Sequence, residues 1–280
     1  MQVGIIGVGL IGGSFALVLK EHGIASKTVG YDSNDSHSLI AKEQGIVDEI
    51  CSLNDTISTS DLIILALPVD GIINLLGKVL DEIKPGAIVI DAGSTKERII
   101  EEIKNHKNRK QFVATHPMWG TEYSGPLAAK MDAFKGKATV ICDREDSDSQ
   151  AVKKVADMYE KIGMHVIYMN GKEHDVHVAY ISHISHITSF ALANTVLEKE
   201  REEDAIFELA SAGFESTVRL ANSNPATWAS IFMQNKENVL DVLNEHISQL
   251  RKFKSSLEKE NMEYLQELMV NANKIKRIIK

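Results

Sequence analysis

"QVGIIGVGLIGGSFALVLKEHG", residues 2–23, decides the fold. It opens with an apolar run, turns on glycines, and continues with apolar residues at helical spacing. Strand, turn and helix in that order begin a βαβ unit. The turn contains Gly7-Val8-Gly9-Leu10-Ile11-Gly12, a G-x-G-x-x-G. Between a strand and a helix that spacing predicts a dinucleotide site. Gly7 permits the tight turn, Gly9 keeps side chains away from a pyrophosphate, and Gly12 lets helix and strand approach closely. The helix N-terminus, from Leu10 and Ile11 onward, offers free N–H groups and a partial positive charge to the phosphates.

Further strands follow outward from this stretch. "KTVGYDSN" (27–34) is the second, and "DLIILALPV" (61–69) and "AIVIDAGS" (87–94) are continuous apolar runs between helical patterns. Continuous apolarity marks strands covered on both faces, as in a parallel sheet with helices outside. Shorter candidates lie at "QFVATH", "KATVICD" and "HVIYMN". Residues 1–167 therefore read as a doubly wound, Rossmann-type α/β domain. Asp32 ends the second strand, where a carboxylate can bind both ribose hydroxyls of NAD and would repel a 2′-phosphate. No Arg or Lys follows in "DSNDSHS", so NAD is expected over NADP. "LALPV" brings Leu67 and Pro68 to the ligand crevice, bordering the adenosine or the nicotinamide ribose.

The texture changes after that. From 172 onward no strand pattern is found, and breakers are confined to "SAGFES" and "NSNPATW". From Asn235, Leu and Ile recur at helical spacing with charges between them, which makes an amphipathic helix. Residues 168–280 are expected to form an all-α domain whose apolar faces need a partner, either one another or a second subunit. The domain is expected to bind substrate and to mediate a homodimer.

The whole chain has 280 residues, 44% hydrophobic and 25% charged, as in ordinary globular proteins. A net charge of −8 argues against nucleic acid and anionic membranes as partners. Two cysteines make no disulfide framework and fit a reducing compartment. No leader precedes the first strand, and no run reaches the roughly 18 apolar residues of a spanning helix. A cytoplasmic protein is expected.

A nucleotide fold names no reaction. Ser94 in "DAGSTK" and His116 in "ATHPMWGTEYSG" end neighbouring strands beside the nucleotide crevice, and Pro117 fixes the chain after the histidine. "YISHISHITSFALAN" (180–194) places His183 and His186 three apart, nearly one above the other on a helix. Such a pair could ligate a metal, serve catalysis or fill a core. Only serine and isoleucine stand between them, so no metal is expected. The helix is apolar all round and is expected to be buried on both sides.

The blocks "GSTK", "HPMWGTEYSGP", "HDVHVAYISHISHITSFALA" and "GFESTVRLANSNPATWASIFMQNKENV" resemble the prephenate/arogenate dehydrogenase family of tyrosine biosynthesis, in order and over nearly the whole chain. The resemblance implies an NAD-dependent oxidoreductase acting on a ring carbinol: hydride leaves to NAD⁺, the hydroxyl loses its proton, and the ring carboxylate departs as CO₂. It implies that His116 is the catalytic base and that Ser94 shares the hydroxyl. Arg219 would bind a substrate carboxylate, with Glu122 pairing with it as a gate and Thr121 beside it. The resemblance gives His186 to the substrate site and His183 a supporting role, and it places His174 and Trp228 at the rim, with packing as the alternative for both. His177 has no motif and reads as structural. Ala212-Gly213-Phe214 departs from a Gly-Gly that many relatives carry there. The chain has no room for the regulatory or fused mutase domains of some members. Prephenate is the expected substrate and arogenate the alternative. A β-hydroxyacid dehydrogenase shares the architecture but relies on a lysine in the helical domain. A nucleotide-sensing protein without turnover would have no use for Ser94, His116 and Arg219 together.

Overall fold

The computed structural model describes residues 1–200 and 209–277. Strand β1 (Gln2–Ile6) runs into helix α1 (Leu10–Glu21), then β2 (Lys27–Tyr31), α2 (Asp35–Glu43), β3 (Glu49–Ile50), α3 (Leu53–Thr59), β4 (Leu62–Leu65), α4 (Val69–Glu82), β5 (Ile88–Asp91) and α5 (Glu97–Glu102). Three more strands, β6 (Phe112–Pro117), β7 (Ala138–Cys142) and β8 (His165–Met169), enclose α6 (Ser149–Lys161). The sheet order is β3-β2-β1-β4-β5-β6-β7-β8. The order reverses between β1 and β4, which opens the crevice where such sheets bind ligands.

The unbroken apolar strands now have their reason. Val3, Ile5, Leu62, Ile64, Ile88 and Ile90 face one core with Phe15 of α1 and Tyr159 of α6. Ile6, Ile63, Leu65 and Val89 face the other, with Ile57 of α3, Leu76 of α4 and Ile99 of α5. Alternate residues supply opposite faces, and both faces are covered. The sheet is not parallel throughout, because β7 runs antiparallel to β6, with His116 opposite Val140. Strand β8 pairs parallel with β7 at the edge, with Met169 opposite Cys142.

The helical half starts at once. Asn170 caps α7 (Gly171–Val178): its side chain accepts from Glu173 N at 2.8 Å, and Glu173 Oε2 accepts from Asn170 N at 3.3 Å. A π-turn (Ala179–His183) follows, then α8 (Ile184–Glu200). After it come α9 (Ala212–Val218), α10 (Pro225–Gln234), α11 (Lys236–Glu258) and α12 (Met262–Ala272). Residues 201–208 and 278–280 of the expected helical domain lie outside the described residues. Asp175 of α7 seats this half on the sheet half, accepting from Lys96 N at 2.7 Å and Glu97 N at 2.9 Å. Ser230 Oγ of α10 donates to Asp70 Oδ2 of α4, and Ile231 enters the second core.

The histidine-bearing helix is not buried on both sides. His183 and Ser189 are buried, but Tyr180 and Ile181 are 48% and 64% exposed. On α11, Leu240, Ile247, Leu250 and Leu257 are also exposed. Their 7-3-7 spacing keeps them on one stripe of the helix. The described residues thus leave these side chains of the layer uncovered. No helix among the described residues is long and apolar enough to cross a membrane.

Candidate active site

One cavity of ≈ 720 Å³ runs from the glycine turn to the helical half. Gly7, Gly9, Leu10, Ile11, Asp32, Leu67 and Pro68 line its nucleotide end. Gly7 has φ +95°, a conformation that L side chains avoid. A Cβ on Gly12 would lie 1.9 Å from the Gly7 carbonyl oxygen. Gly12 therefore sits behind the cavity, closing helix onto strand, and does not line it. A Cβ on Gly9 would meet nothing within 4 Å. That open cradle, at the N-terminus of a twelve-residue helix, fits a pyrophosphate. Asp32 Oδ2 accepts from Val8 N at 3.0 Å and Oδ1 from Asn34 N at 2.9 Å, so the carboxylate is held at the crevice by the turn itself.

Ser94, His116, Thr121, Glu122, His183, His186, Arg219 and Trp228 line the other end. They come from the loop after β5, the end of β6, the loop that follows it, and the helical half. Arg219 Nη1 donates to Glu122 Oε2 at 3.0 Å, joining the β6 loop to the segment after α9. His186 stacks on Trp228 with ring centroids 3.3 Å apart, and its Nδ1 donates to the Ser182 carbonyl at 3.1 Å. His183 is buried, with Nδ1 3.2 Å from Asn235 Nδ2 and its ring nearly perpendicular to that of Trp228. Among the described residues no group of three His, Cys, Asp or Glu could hold a metal ion.

Residues 15–168 match the family model described as prephenate dehydrogenase, nucleotide-binding domain, and residues 170–271 match prephenate dehydrogenase, dimerization domain. The chain belongs to the prephenate dehydrogenase family. It is 30% identical to the prephenate dehydrogenase of Bacillus subtilis, over 92% of this chain and 71% of that one. It is 27% identical to the cyclohexadienyl dehydrogenase of Zymomonas mobilis, over 100% of this chain and 96% of that one. The crystal structure of prephenate dehydrogenase from Aquifex aeolicus in complex with hydroxyphenyl propionate and NAD+ superposes with a TM-score of 0.88. It is 31% identical and covers 99% of this chain and 97% of its own.

In this member of the prephenate dehydrogenase family, two roles are open to His174, a place at the rim or packing, and the second holds. The structure buries it, 1% exposed, directly behind His116, with His116 Nδ1 2.8 Å from His174 Nε2. His174 Nδ1 is in turn 2.8 Å from Asp175 Oδ1. Rim and interior look alike in a linear motif, because what covers a side chain is set by packing between halves. For Asp175 the sequence offers one signal, an acidic residue next to a histidine on the short polar helix α7. Burial holds the His116 imidazole well below its ordinary range, and the nearby His174, Lys96 and His183 push the same way. His183 is lowered by burial to about 4, and His186 is lowered by burial as well. Lys96 and Asp91 form a fully buried ion pair under the ends of β5 and β6, where Asp91 Oδ1 also accepts from Thr115 N at 3.0 Å. The site is thus a set of neutral imidazoles over a buried ion pair, with Arg219 as the half-exposed cation on its substrate side.

Proposed function

We propose that the protein catalyses the NAD-dependent oxidative decarboxylation of prephenate to 4-hydroxyphenylpyruvate, a step of tyrosine biosynthesis. The observation that carries this reading is the convergence, in one cavity, of the glycine cradle with Asp32, a neutral strand-end His116, and Arg219 from the helical half. NAD⁺, when bound, supplies the hydride acceptor. Gly7, Gly9, Leu10 and Ile11 would hold its phosphates, Asp32 its ribose hydroxyls, and Leu67 and Pro68 would border it. Neutral His116 accepts the ring hydroxyl's proton as the hydride departs, and Ser94 shares that hydroxyl and orients it. Arg219 grips a substrate carboxylate, exchanging its Glu122 partner for the ligand, with Thr121 beside it. A guanidinium suits this because its paired N–H groups match a carboxylate. His186, held flat by Trp228, offers its remaining ring nitrogen to the substrate, and His183 supports that arrangement. Loss of CO₂ follows because it makes the ring aromatic.

The family description of a dimerization domain and the exposed stripe on α11 support a homodimer. Two free thiols, Cys51 and Cys142, support a reducing, cytoplasmic setting. The decisive assay follows NADH formation with prephenate and with arogenate, each with NAD⁺ and NADP⁺. Prephenate with NAD⁺ is expected to turn over fastest. Faster turnover of arogenate would move the assignment to that substrate, and no turnover of either would overturn it.

A further inference from the structure

His116 ends a row of three buried or half-buried groups, and the reaction as described does not use the other two. Behind it stand His174 and Asp175, 1% and 2% exposed, on the first helix of the helical half. The contacts are 2.8 Å from His116 Nδ1 to His174 Nε2 and 2.8 Å from His174 Nδ1 to Asp175 Oδ1. Asp175 is fixed at its far end, where its two oxygens accept from the backbone N–H groups of Lys96 and Glu97. Its own carbonyl accepts from Asn235 Nδ2 at 2.6 Å.

Proton positions along this row follow from the inventory of donors and acceptors. Asp175, carrying backbone donors on both oxygens, is an acceptor toward His174, so His174 Nδ1 bears the hydrogen. Neutral His174 then has a bare Nε2, which can only accept. His116 must supply the donor, so its hydrogen sits on Nδ1 and its Nε2 carries the lone pair. Nδ1 is turned into the protein toward His174, and His116 is a lining residue of the cavity. The lone pair is therefore on the cavity side. Neutral imidazole in water prefers the other tautomer, with hydrogen on Nε2, which is useless to a base working through that atom.

We propose that His174 and Asp175 are positioning residues that lock His116 in the Nδ1–H tautomer and so aim its basic Nε2 at the substrate hydroxyl. The proposal rests on the functional reading above only for which proton is taken; the tautomer itself is a property of the resting protein. When Nε2 takes the hydroxyl proton, His116 becomes an imidazolium, and its Nδ1–H bond to His174 becomes charge-assisted and stronger. The ionisable groups facing this row are Lys96 and Asp91 from the β5 end, His177 and Asp175 from α7, and His183 from the π-turn. Protonating His174 would set a second cation beside Lys96. Burial and that lysine hold its imidazole down at about 2, so it stays an acceptor throughout the working pH range.

The test has two arms. Nitrogen NMR of ¹⁵N-histidine-labelled protein, with no substrate, reads the tautomer of His116 directly, using H116N to assign the signals. Hydrogen on Nδ1 is expected, and hydrogen on Nε2 overturns the proposal whether or not the enzyme uses prephenate. The second arm compares H174F with H174Q, whose side-chain oxygen can still accept from His116. H174F is expected to lose at least about tenfold in kcat with KM within threefold. H174Q is expected to recover most of the rate. Equal losses in both variants, or a kcat for H174F within threefold of wild type, would overturn it. Should either variant fail to fold, the NMR arm decides. A wild type inert toward both ring substrates but showing the Nδ1–H tautomer would sink the functional reading and leave the tautomer lock standing.

Discussion

Asp32 binds backbone as well as facing the crevice, since its Oδ2 accepts from Val8 N. D32S should therefore narrow the preference for NAD⁺ over NADP⁺ and also weaken NAD⁺, because the glycine turn loses a tether. Equal use of both cofactors by the wild type would remove Asp32 from cofactor choice. His116 is held neutral by burial, and its neutral form is the active one. On lowering the pH, activity should persist until the pH passes the depressed value, so the acid limb of kcat/KM is expected below the roughly 6.5 of a free imidazole. H116N should cost on the order of 10²–10⁴ in kcat, and a variant within threefold of wild type would exclude it as base. Arg219 is half exposed, so its loss is that of a charge-assisted contact and not of a buried pair. R219A should lose roughly ten- to a hundredfold in kcat/KM, mostly through KM, with R219K recovering part of it. NAD⁺ affinity without substrate should hardly move, and an equal fall in NAD⁺ binding would make Arg219 a cofactor residue. These side chains were legible in the sequence because each sits in a short motif or at a strand end, where type and place coincide.

At the scale of elements, legibility followed the range of the interactions. The glycine turn and β1–α1 are local geometry, and the structure has them where the spacing predicts. Reversal of β7 against β6 is a pairing between distant segments, and nothing within "KATVICD" encodes its direction. The π-turn Ala179–His183 is harder still, since one extra residue in a helical turn changes neither composition nor apolarity. A helical wheel drawn through residues 180–194 therefore carries a phase error relative to α7, of about 100°. That turn also sets how α7, which carries His174, is rotated relative to the helix that carries His186. π-turns of this kind gather at functional sites. Deleting the exposed Ile181 should restore an α-helical ladder and rotate one set against the other. A loss of at least about a hundredfold in kcat/KM is expected, with the circular dichroism spectrum kept. Near-normal turnover would show that the turn is incidental.

At the scale of the molecule, Tyr180, Ile181 and the α11 stripe stay exposed among the described residues of the helical half. Sedimentation should find a dimer at micromolar concentration. L250E combined with L257E should shift it toward monomer, since charges placed on the stripe cannot be desolvated without partners. An unchanged mass in that variant would move the interface elsewhere.

The row that ends on His116 spans the join between the halves. His116 belongs to the sheet half, while His174 and Asp175 belong to the helical half, and Asp175 is clasped by the chain after β5. A nucleotide-binding half is often thought of as a module that can be recombined with any partner. Here a chimera joining the sheet half of one relative to the helical half of another would inherit a base from one parent and its orientation from the other. Such hybrids should bind the dinucleotide yet turn over poorly unless the junction is taken as a unit, so exchange is expected to tolerate crossovers beyond α8 far better than any cut between residues 116 and 175.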